Sequence, residues 1–353
     1  MLPGWAGMRK PREEGERMSG LHERLVVIDG LIFHSDGDAR DLRAGGYAAA
    51  NVTVKEPMAG FEEGFDAMAR WLALAARPDG PWRLVERAAD IPAAKAAGKV
   101  GLIMGWQETK LLGNRIERAA AFHRLGLRAC QLTYNEASAV GDGCLEPRNG
   151  GLTRFGHEVV AEFNRLGIAI DLSHVGERTS LDAARASRRP VLLTHANAKA
   201  VHDRVRNKSD EVLRAVAATG GLCGASIHGF MNWGGDPARP PSMEGFIAQV
   251  RHMVKLVGIE HVSFGTDFAA VGDPRAADFF LEMSATRYAS GTGDYVRAFG
   301  NSLEKRFPDA LNNPRHMARK TEALLAAGFR EAEVERIMGG NLLRVLGEIW
   351  GES

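Results

Sequence analysis

The sequence contains Ile168-Ala169-Ile170-Asp171-Leu172-Ser173-His174 and, further on, Val191-Leu192-Leu193-Thr194-His195, two short apolar runs that each end in a histidine. Each run has the length and composition of a buried β-strand, so each histidine follows a strand directly. Successive parallel strands point their carboxyl ends at one mouth, where imidazoles 21 residues apart in the chain can meet. The two stretches therefore predict a parallel fold with a metal or substrate site at that mouth.

Similar runs recur along most of the chain and alternate with helical patterns. The predicted strands are residues 25–28, 48–54, 100–104, 129–133, 169–172, 191–194, 222–226 and 261–265. The helices between them include residues 61–76, 115–125, 153–166, 179–186, 210–218 and 242–257, with Thr153, Thr179, Ser209 and Ser242 as predicted capping residues. Eight strands alternating with helices predict an α/β fold, a (β/α)8 TIM barrel.

The remaining segments fit one barrel domain with additions. Residues 1–20 are rich in glycine, proline and charge, and we predict a disordered N-terminal extension there. Residues 21–353 are predicted to form a single domain. An insertion over the mouth is expected around residues 276–313, where the strand–helix rhythm breaks, and closing helices at residues 321–327 and 331–349.

Composition excludes several classes of partner. The 353 residues carry 45 basic and 44 acidic side chains, a net charge of +1, so neither nucleic acid nor an anionic membrane is expected. No apolar run reaches the ~18 residues that a membrane-spanning helix needs. Cys130, Cys144 and Cys223 show no Cys-x-x-Cys spacing, which predicts free thiols and a cytoplasmic location. A small-molecule substrate is the expected partner, and a homodimer the expected assembly.

Polar residues also follow the later strands. Asp267 comes directly after the last predicted strand, where a carboxylate can accept a proton or bind a metal. Arg206 and Asn207 follow the sixth strand, and the planar guanidinium of arginine suits a substrate carboxylate. These residues are candidates for the same mouth as His174 and His195.

Seven short motifs occur together, in an order that resembles the membrane dipeptidase (renal dipeptidase) family. They are Gly151-Leu152-Thr153-Arg154-Phe155-Gly156, Asn164-Arg165-Leu166-Gly167, Asp171-Leu172-Ser173-His174, Thr194-His195-Ala196-Asn197, Arg206-Asn207 with Gly220-Gly221, Gly265-Thr266-Asp267 and Gly339-Gly340-Asn341-Leu342-Leu343-Arg344-Val345. The resemblance extends over residues 27–346, nearly the whole chain. It implies a (β/α)8 barrel of the amidohydrolase group, the metallo-dependent hydrolase type. Members of the family usually hydrolyse dipeptides with two bridged zinc ions.

The resemblance also assigns roles to the candidate residues. It implies that His174 and His195 bind the second zinc, that Arg206 holds the substrate carboxylate, and that Asp267 is the catalytic carboxylate beside the metals. Arg206 and Asn207 together are expected to bind substrate. These roles agree with the positions of the residues after their strands.

Four positions depart from the family pattern, and three of them are ligand positions of the first zinc. The family carries Asp-Gly-His-x-Asp after the first strand, whereas this chain has Asp29-Gly30-Leu31-Ile32-Phe33. The bridging glutamate falls on Gln107, which offers a weak carbonyl ligand without negative charge. The family's substrate-contacting histidine becomes Tyr134, a neutral donor to a developing oxyanion. A bridged pair of zinc ions is therefore not expected here.

Two hypotheses follow. In the first, the protein is a dipeptidase-like metallohydrolase with at most one divalent ion, zinc, held by His174 and His195 with help from Asp267. Its substrate is a dipeptide or a small modified amino acid, and Tyr134 steadies the tetrahedral intermediate. In the second, the same barrel is a metal-free small-molecule-binding protein or an enzyme of another class.

Overall fold

The structure is a computed structural model, and it describes residues 20–34, 37–57, 59–270, 281–283, 285–300, 302, 306–308 and 312–351. The predicted N-terminal extension lies outside the described residues except for Gly20, so it stays a prediction. The described strands are β1 Val27–His34, β2 Tyr47–Thr53, β3 Trp82–Leu84, β4 Val100–Trp106, β5 Leu127–Gln131, β6 Ala169–Asp171, β7 Leu192–Leu193, β8 Leu222–Ala225, β9 Val262–Phe264 and β10 Phe268–Ala270.

Helices surround these strands. They are α1 Gly20–Arg24, α2 Arg40–Ala44, α3 Phe61–Ala75, α4 Asp90–Ala96, α5 Glu117–Arg124, α6 Arg154–Leu166, α7 Glu177–Ala186, α8 Asp210–Ala218, α9 Met243–Val257, α10 Ala289–Phe299, α11 Ala318–Ala326, α12 Glu331–Glu335 and α13 Asn341–Trp350. None of the helices within the described ranges is long and apolar enough to cross a membrane.

The strands form one parallel sheet in the order β10-β1-β2-β4-β5-β6-β7-β8-β9, with β3 beside β4. The chain after β9 returns to β1 and closes the ring. There the Thr266 N–H donates to Asp29 Oδ1 at 2.8 Å, and the Asp267 N–H donates to Leu31 O at 3.0 Å. This is the (β/α)8 barrel that the sequence predicts.

All eight predicted strands are present, and the structure adds two short ones. β3 and β10 have three residues each, which is too short for an apolar run to stand out from a loop. β10 pairs with β1 through Ile32 and Phe268. It fixes the segment that carries Asp267 beside the start of the barrel.

Three of the four predicted helix caps are confirmed. Thr153, Ser209 and Ser242 accept backbone N–H bonds at 2.9, 3.2 and 3.4 Å. The prediction for Thr179 was wrong, because α7 begins earlier, at Glu177. The Thr179 hydroxyl instead accepts from the Asp142 N–H at 3.1 Å, and so ties α7 to the loop before α6.

The C-terminal helices pack across the amino-terminal end of the barrel. Leu342, Val345, Leu346 and Ile349 of α13 lie in one buried cluster with Ile28 and the inward-facing residues of other strands. A turn at Arg336–Gly340 separates α12 from α13, where the sequence predicts one helix. A Cβ on Gly339 would lie 2.0 Å from Val26 O, so only glycine allows this close approach.

Part of the predicted insertion lies over the mouth, at the carboxyl-terminal end of the barrel strands. Two ion pairs join it to the barrel loops, Arg204 with Asp294 at 2.7 Å and Arg287 with Glu136. Tyr288 also contacts the Tyr134 ring edge to face, with centroids 5.6 Å apart. The boundaries of the insertion, which includes undescribed residues, remain a prediction.

We predict that Thr266→Val destabilises the protein by about 1–3 kcal/mol. The Thr266 hydroxyl donates to Asp29 Oδ2 at 2.6 Å, and valine keeps its shape but leaves that buried carboxylate oxygen without this donor. Urea unfolding of the variant measures the loss. Thr286→Val, at an exposed position, is the control and should change stability by less than about 0.5 kcal/mol. Equal stability of the two variants would contradict the prediction.

Candidate functional site

The two histidines that follow β6 and β7 lie side by side at the mouth. Their ring centroids are 5.1 Å apart, and both side chains are buried. This confirms that the two strand ends converge, as the sequence predicts for parallel neighbours.

A buried carboxylate positions both histidine loops. Asp171 Oδ1 accepts from the Ser173 hydroxyl at 2.6 Å and from the Thr194 N–H at 3.1 Å, and Oδ2 accepts from the Thr194 hydroxyl at 2.6 Å. Because Thr194 Oγ1 donates to Asp171, it accepts from Nδ1–H of His195 at 2.7 Å. The lone pair of His195 is then on Nε2, which has no hydrogen-bond partner among the described residues.

The ring of His174 is oriented in the same way by a different acceptor. Its Nδ1–H donates to Asn135 Oδ1 at 2.7 Å, which leaves the lone pair on Nε2. The thiol of Cys144 donates to the same oxygen at 3.3 Å. Tyr134 stacks on the imidazole, with centroids 4.2 Å apart and a 20° angle between the planes.

Both imidazoles are neutral. Burial lowers the pKa of His174 and of His195 well below the usual 6.5, and the positive charge of Arg206 lowers each pKa further. Neutral imidazoles with free Nε2 lone pairs are what a metal ligand or a hydrogen-bond acceptor requires.

Arg206 and Asn207 are neighbours in sequence, but they face different regions. The guanidinium of Arg206 donates to Ser173 O and, at 3.5 Å, to His195 O, and it lines the cavity at the mouth. The Asn207 amide donates to His202 O at 2.7 Å and to Met231 O at 3.0 Å. Asn207 borders a separate pocket, so the structure does not bring it together with the other candidates.

Asp267 lies in the wall of the same cavity. Its φ of 60° places it in the left-handed region, which few non-glycine residues adopt. Burial raises its pKa to about 6, while the charges of Arg206 and Arg306 oppose that rise. Residues in sparsely populated backbone conformations cluster at active sites and ligand-binding sites.

The positions that would bind the first zinc offer little to a cation. Leu31 and Phe33 are buried apolar side chains, and Phe33 lines the cavity. Gln107 also lines it, and its amide donates to Thr53 Oγ1 at 2.7 Å. The adjacent Glu108 is paired with the buried Lys55 and does not line this cavity.

The ligand set does not fit a resident metal. Catalytic zinc sites use three protein ligands, and the histidine pair supplies two. In the part of the chain that the structure describes, no group of three or more His, Cys, Asp or Glu side chains could hold a metal ion. The expectation of one zinc at His174 and His195, with help from Asp267 and Gln107, therefore lacks support from ligand count.

The cavity includes residues that the sequence did not single out. His228 follows β8, and its Nδ1 is buried without a partner among the described residues. Tyr288, Tyr295 and Arg306 come from the segment over the mouth. The strand-end position of His228 was a usable signal, whereas nothing in the local pattern marks Arg306.

The fold defines a (β/α)8 barrel of the metallo-dependent hydrolase type. The sequence profile of the membrane dipeptidase family (peptidase family M19) matches residues 47–278. The chain belongs to this family.

Individual relatives agree with that membership. The chain is 29% identical over 270 residues to dipeptidase tcpJ of Claviceps purpurea (strain 20.1), covering 75% of this chain and 55% of the relative. It is 26% identical over 255 residues to dipeptidase aclJ of Aspergillus oryzae (strain ATCC 42149 / RIB 40), covering 71% and 52%. The chain thus spans about half the length of the curated relatives it matches.

A solved structure matches over almost the whole barrel. The crystal structure of an amidohydrolase from Pseudomonas aeruginosa superposes with a TM-score of 0.82 at 32% identity, covering 94% of this chain and 98% of that one.

We predict that protein purified without added metal contains far less than one divalent ion per chain, because two imidazoles alone bind a cation weakly. Elemental analysis measures the content. The melting temperature should also be the same with and without a chelator. One ion per chain in the wild type, lost in His195→Ala, would restore the single-zinc prediction.

Proposed function

We propose that this protein hydrolyses the amide bond of a small, carboxylate-bearing substrate of dipeptide size, using the barrel mouth without a resident metal. The observation that carries the proposal is that one cavity is lined by Asp267, Tyr134 and Arg206. These side chains combine a base, a neutral donor and a fixed cation. Membership in a family of dipeptidases supports the same reaction class.

In the proposed reaction Arg206 binds the substrate carboxylate. Its guanidinium is fixed by the carbonyl oxygens of Ser173 and His195, so little side-chain freedom is lost on binding. Asp267 accepts a proton from a water molecule that attacks the amide carbon. The hydroxyl of Tyr134 donates to the oxygen that gains charge.

Collapse of the tetrahedral intermediate completes the reaction. The carbon–nitrogen bond breaks, and the proton held by Asp267 passes to the leaving nitrogen, which regenerates the carboxylate. The products are a carboxylic acid and an amine, so the atoms of one water molecule are divided between them.

The protonation states suit these roles. A pKa of about 6 leaves Asp267 mostly ionised at neutral pH, yet basic enough to take a proton from water. Burial raises the pKa of Tyr134 above its usual value, so its hydroxyl stays protonated and can donate a hydrogen bond. The neutral His174 stacks on Tyr134 and acts as a positioning residue.

A second candidate function is metal-free binding of the same class of molecule without hydrolysis. The apolar side chains of Leu31 and Phe33, at positions where the family carries metal ligands, favour it. Calorimetric binding of a substrate that the wild-type protein leaves intact would favour this function over hydrolysis.

We predict that Asp267→Asn lowers kcat by about 100-fold or more with little change in KM, since the amide cannot accept the proton. A panel of dipeptides and N-acyl amino acids, followed by product release, identifies the substrate for this measurement. The wild-type kcat should rise with pH through about 6 and then level off, because only the ionised carboxylate is active. The variant should lack that rise.

Asp66→Asn, on the exposed face of α3, is the matched control and should behave as wild type. An unchanged kcat in Asp267→Asn would remove the carboxylate from the proposed mechanism.

A further inference from the structure

The chemistry of the cavity lining depends on which part of the chain supplies it. The chain after β6, β7 and β9 supplies polar side chains, among them His174, Arg206 and Asp267. The loop after β8 and the segment over the mouth supply mainly apolar side chains. The apolar wall, as we call this part of the lining, consists of Phe230, Met231, Tyr295, Val296 and Phe307.

One end of the apolar wall is held in place by aromatic packing and an ion pair. Tyr295 packs edge to face on Trp233, with ring centroids 5.6 Å apart. The guanidinium of Arg204 lies 5.1 Å from the centroid of Trp233 and 5.4 Å from that of Phe230. The same guanidinium pairs with Asp294 of α10 at 2.7 Å. These contacts fix the rings before any ligand is present, so a ligand does not have to order them.

The other end of the wall lies close to the proposed base. The ring of Phe307 packs against that of Phe268, with centroids 4.7 Å apart, and Phe268 directly follows Asp267 in the chain. Phe307 also contacts His228 edge to face, with centroids 5.5 Å apart. A substrate whose amide bond lies at Asp267 therefore has a side chain within reach of the wall.

The wall offers apolar surface and few hydrogen-bonding groups. Its polar neighbours in the lining are His228, Thr292 and Arg306. The hydroxyl of Thr292 donates to Tyr288 O at 3.2 Å. An apolar side chain that packs on the wall leaves water, which favours binding in proportion to the area that is buried. A polar side chain of the same size would exchange hydrogen bonds to water for apolar contacts, which costs free energy.

We propose that the substrate carries a large apolar side chain, of the size of leucine or phenylalanine, which packs against the apolar wall while the substrate carboxylate binds Arg206. This inference rests on the proposed function and names its substrate class. The wall supplies the apolar contacts, and the polar side chains after β6, β7 and β9 bind the carboxylate and the amide.

Ligands that differ only in the polarity of one side chain test the proposal. Leucine and asparagine have side chains of similar size and branching, so leucyl-alanine is compared with asparaginyl-alanine, and alanyl-leucine with alanyl-asparagine. Calorimetry on Asp267→Asn measures binding without rapid turnover. In at least one pair the leucine ligand should bind at least about tenfold tighter, which corresponds to about 1.4 kcal/mol. Absence of a leucine preference in both pairs would overturn the proposal.

A pair of variants in the wall tests its role in that preference. Val296 is half-buried on α10, so its replacement is compatible with the fold. Val296→Asn places an amide in the wall, and Val296→Leu is its apolar match of similar size. The preference for the leucine ligand should fall by about fivefold or more in Val296→Asn relative to Val296→Leu. The same preference in both variants would contradict the role of the wall.

Hydrolysis of the same four ligands by the wild-type protein separates this inference from the proposed function. Tighter binding of a leucine ligand, with none of the four hydrolysed, supports the substrate class and rejects the hydrolase. Hydrolysis with equal kcat/KM for leucine and asparagine ligands supports the hydrolase and rejects the substrate class.

Discussion

A buried carboxylate at the end of β6 determines the geometry of the site. Asp171 accepts hydrogen bonds from the hydroxyl and backbone groups of Ser173 and Thr194, and these two residues immediately precede His174 and His195. A carboxyl group buried in this way is tolerated only because several donors replace its water. The bonds that satisfy the carboxylate therefore also fix the directions of both histidine loops.

Asp29 has the same function on the other side of the ring. It accepts from Thr266, the residue before Asp267, and so joins β1 to the end of β9. The carboxylates of Asp171 and Asp29 thus hold the loops at the mouth on two sides of the ring. The guanidinium of Arg206 is bound to the carbonyl oxygens of Ser173 and His195, which links the cation above to the strand ends that Asp171 organises.

Sequence reasoning predicted the strands and helices that follow a repeating pattern, and it missed the features that depend on tertiary packing. Buried strands such as Ala169–Asp171 show as apolar runs, and a residue after such a run lies at the mouth by the geometry of parallel strands. This logic correctly placed His174, His195 and Asp267 after their strands at the mouth, while their roles stay predictions. It also placed Asn207 at the site, because position after a strand does not reveal which way a side chain points.

Other features had no local signal. β10 is too short to show a pattern. The start of α7 was misplaced because the residue before its first turn is Gly176, which has no side chain that could cap the helix, and not Thr179. Arg306 belongs to a segment without strand–helix rhythm, so nothing in the local sequence predicts that it lines the cavity.

The apolar side chains in the second half of β1 contribute to the packing of the barrel. Leu31 and Phe33 are buried with almost no exposure, so apolar side chains there add to packing and need no cation to satisfy them. The fold of the barrel therefore does not depend on the chemistry of its mouth, and the function has to be argued from the side chains that line the cavity.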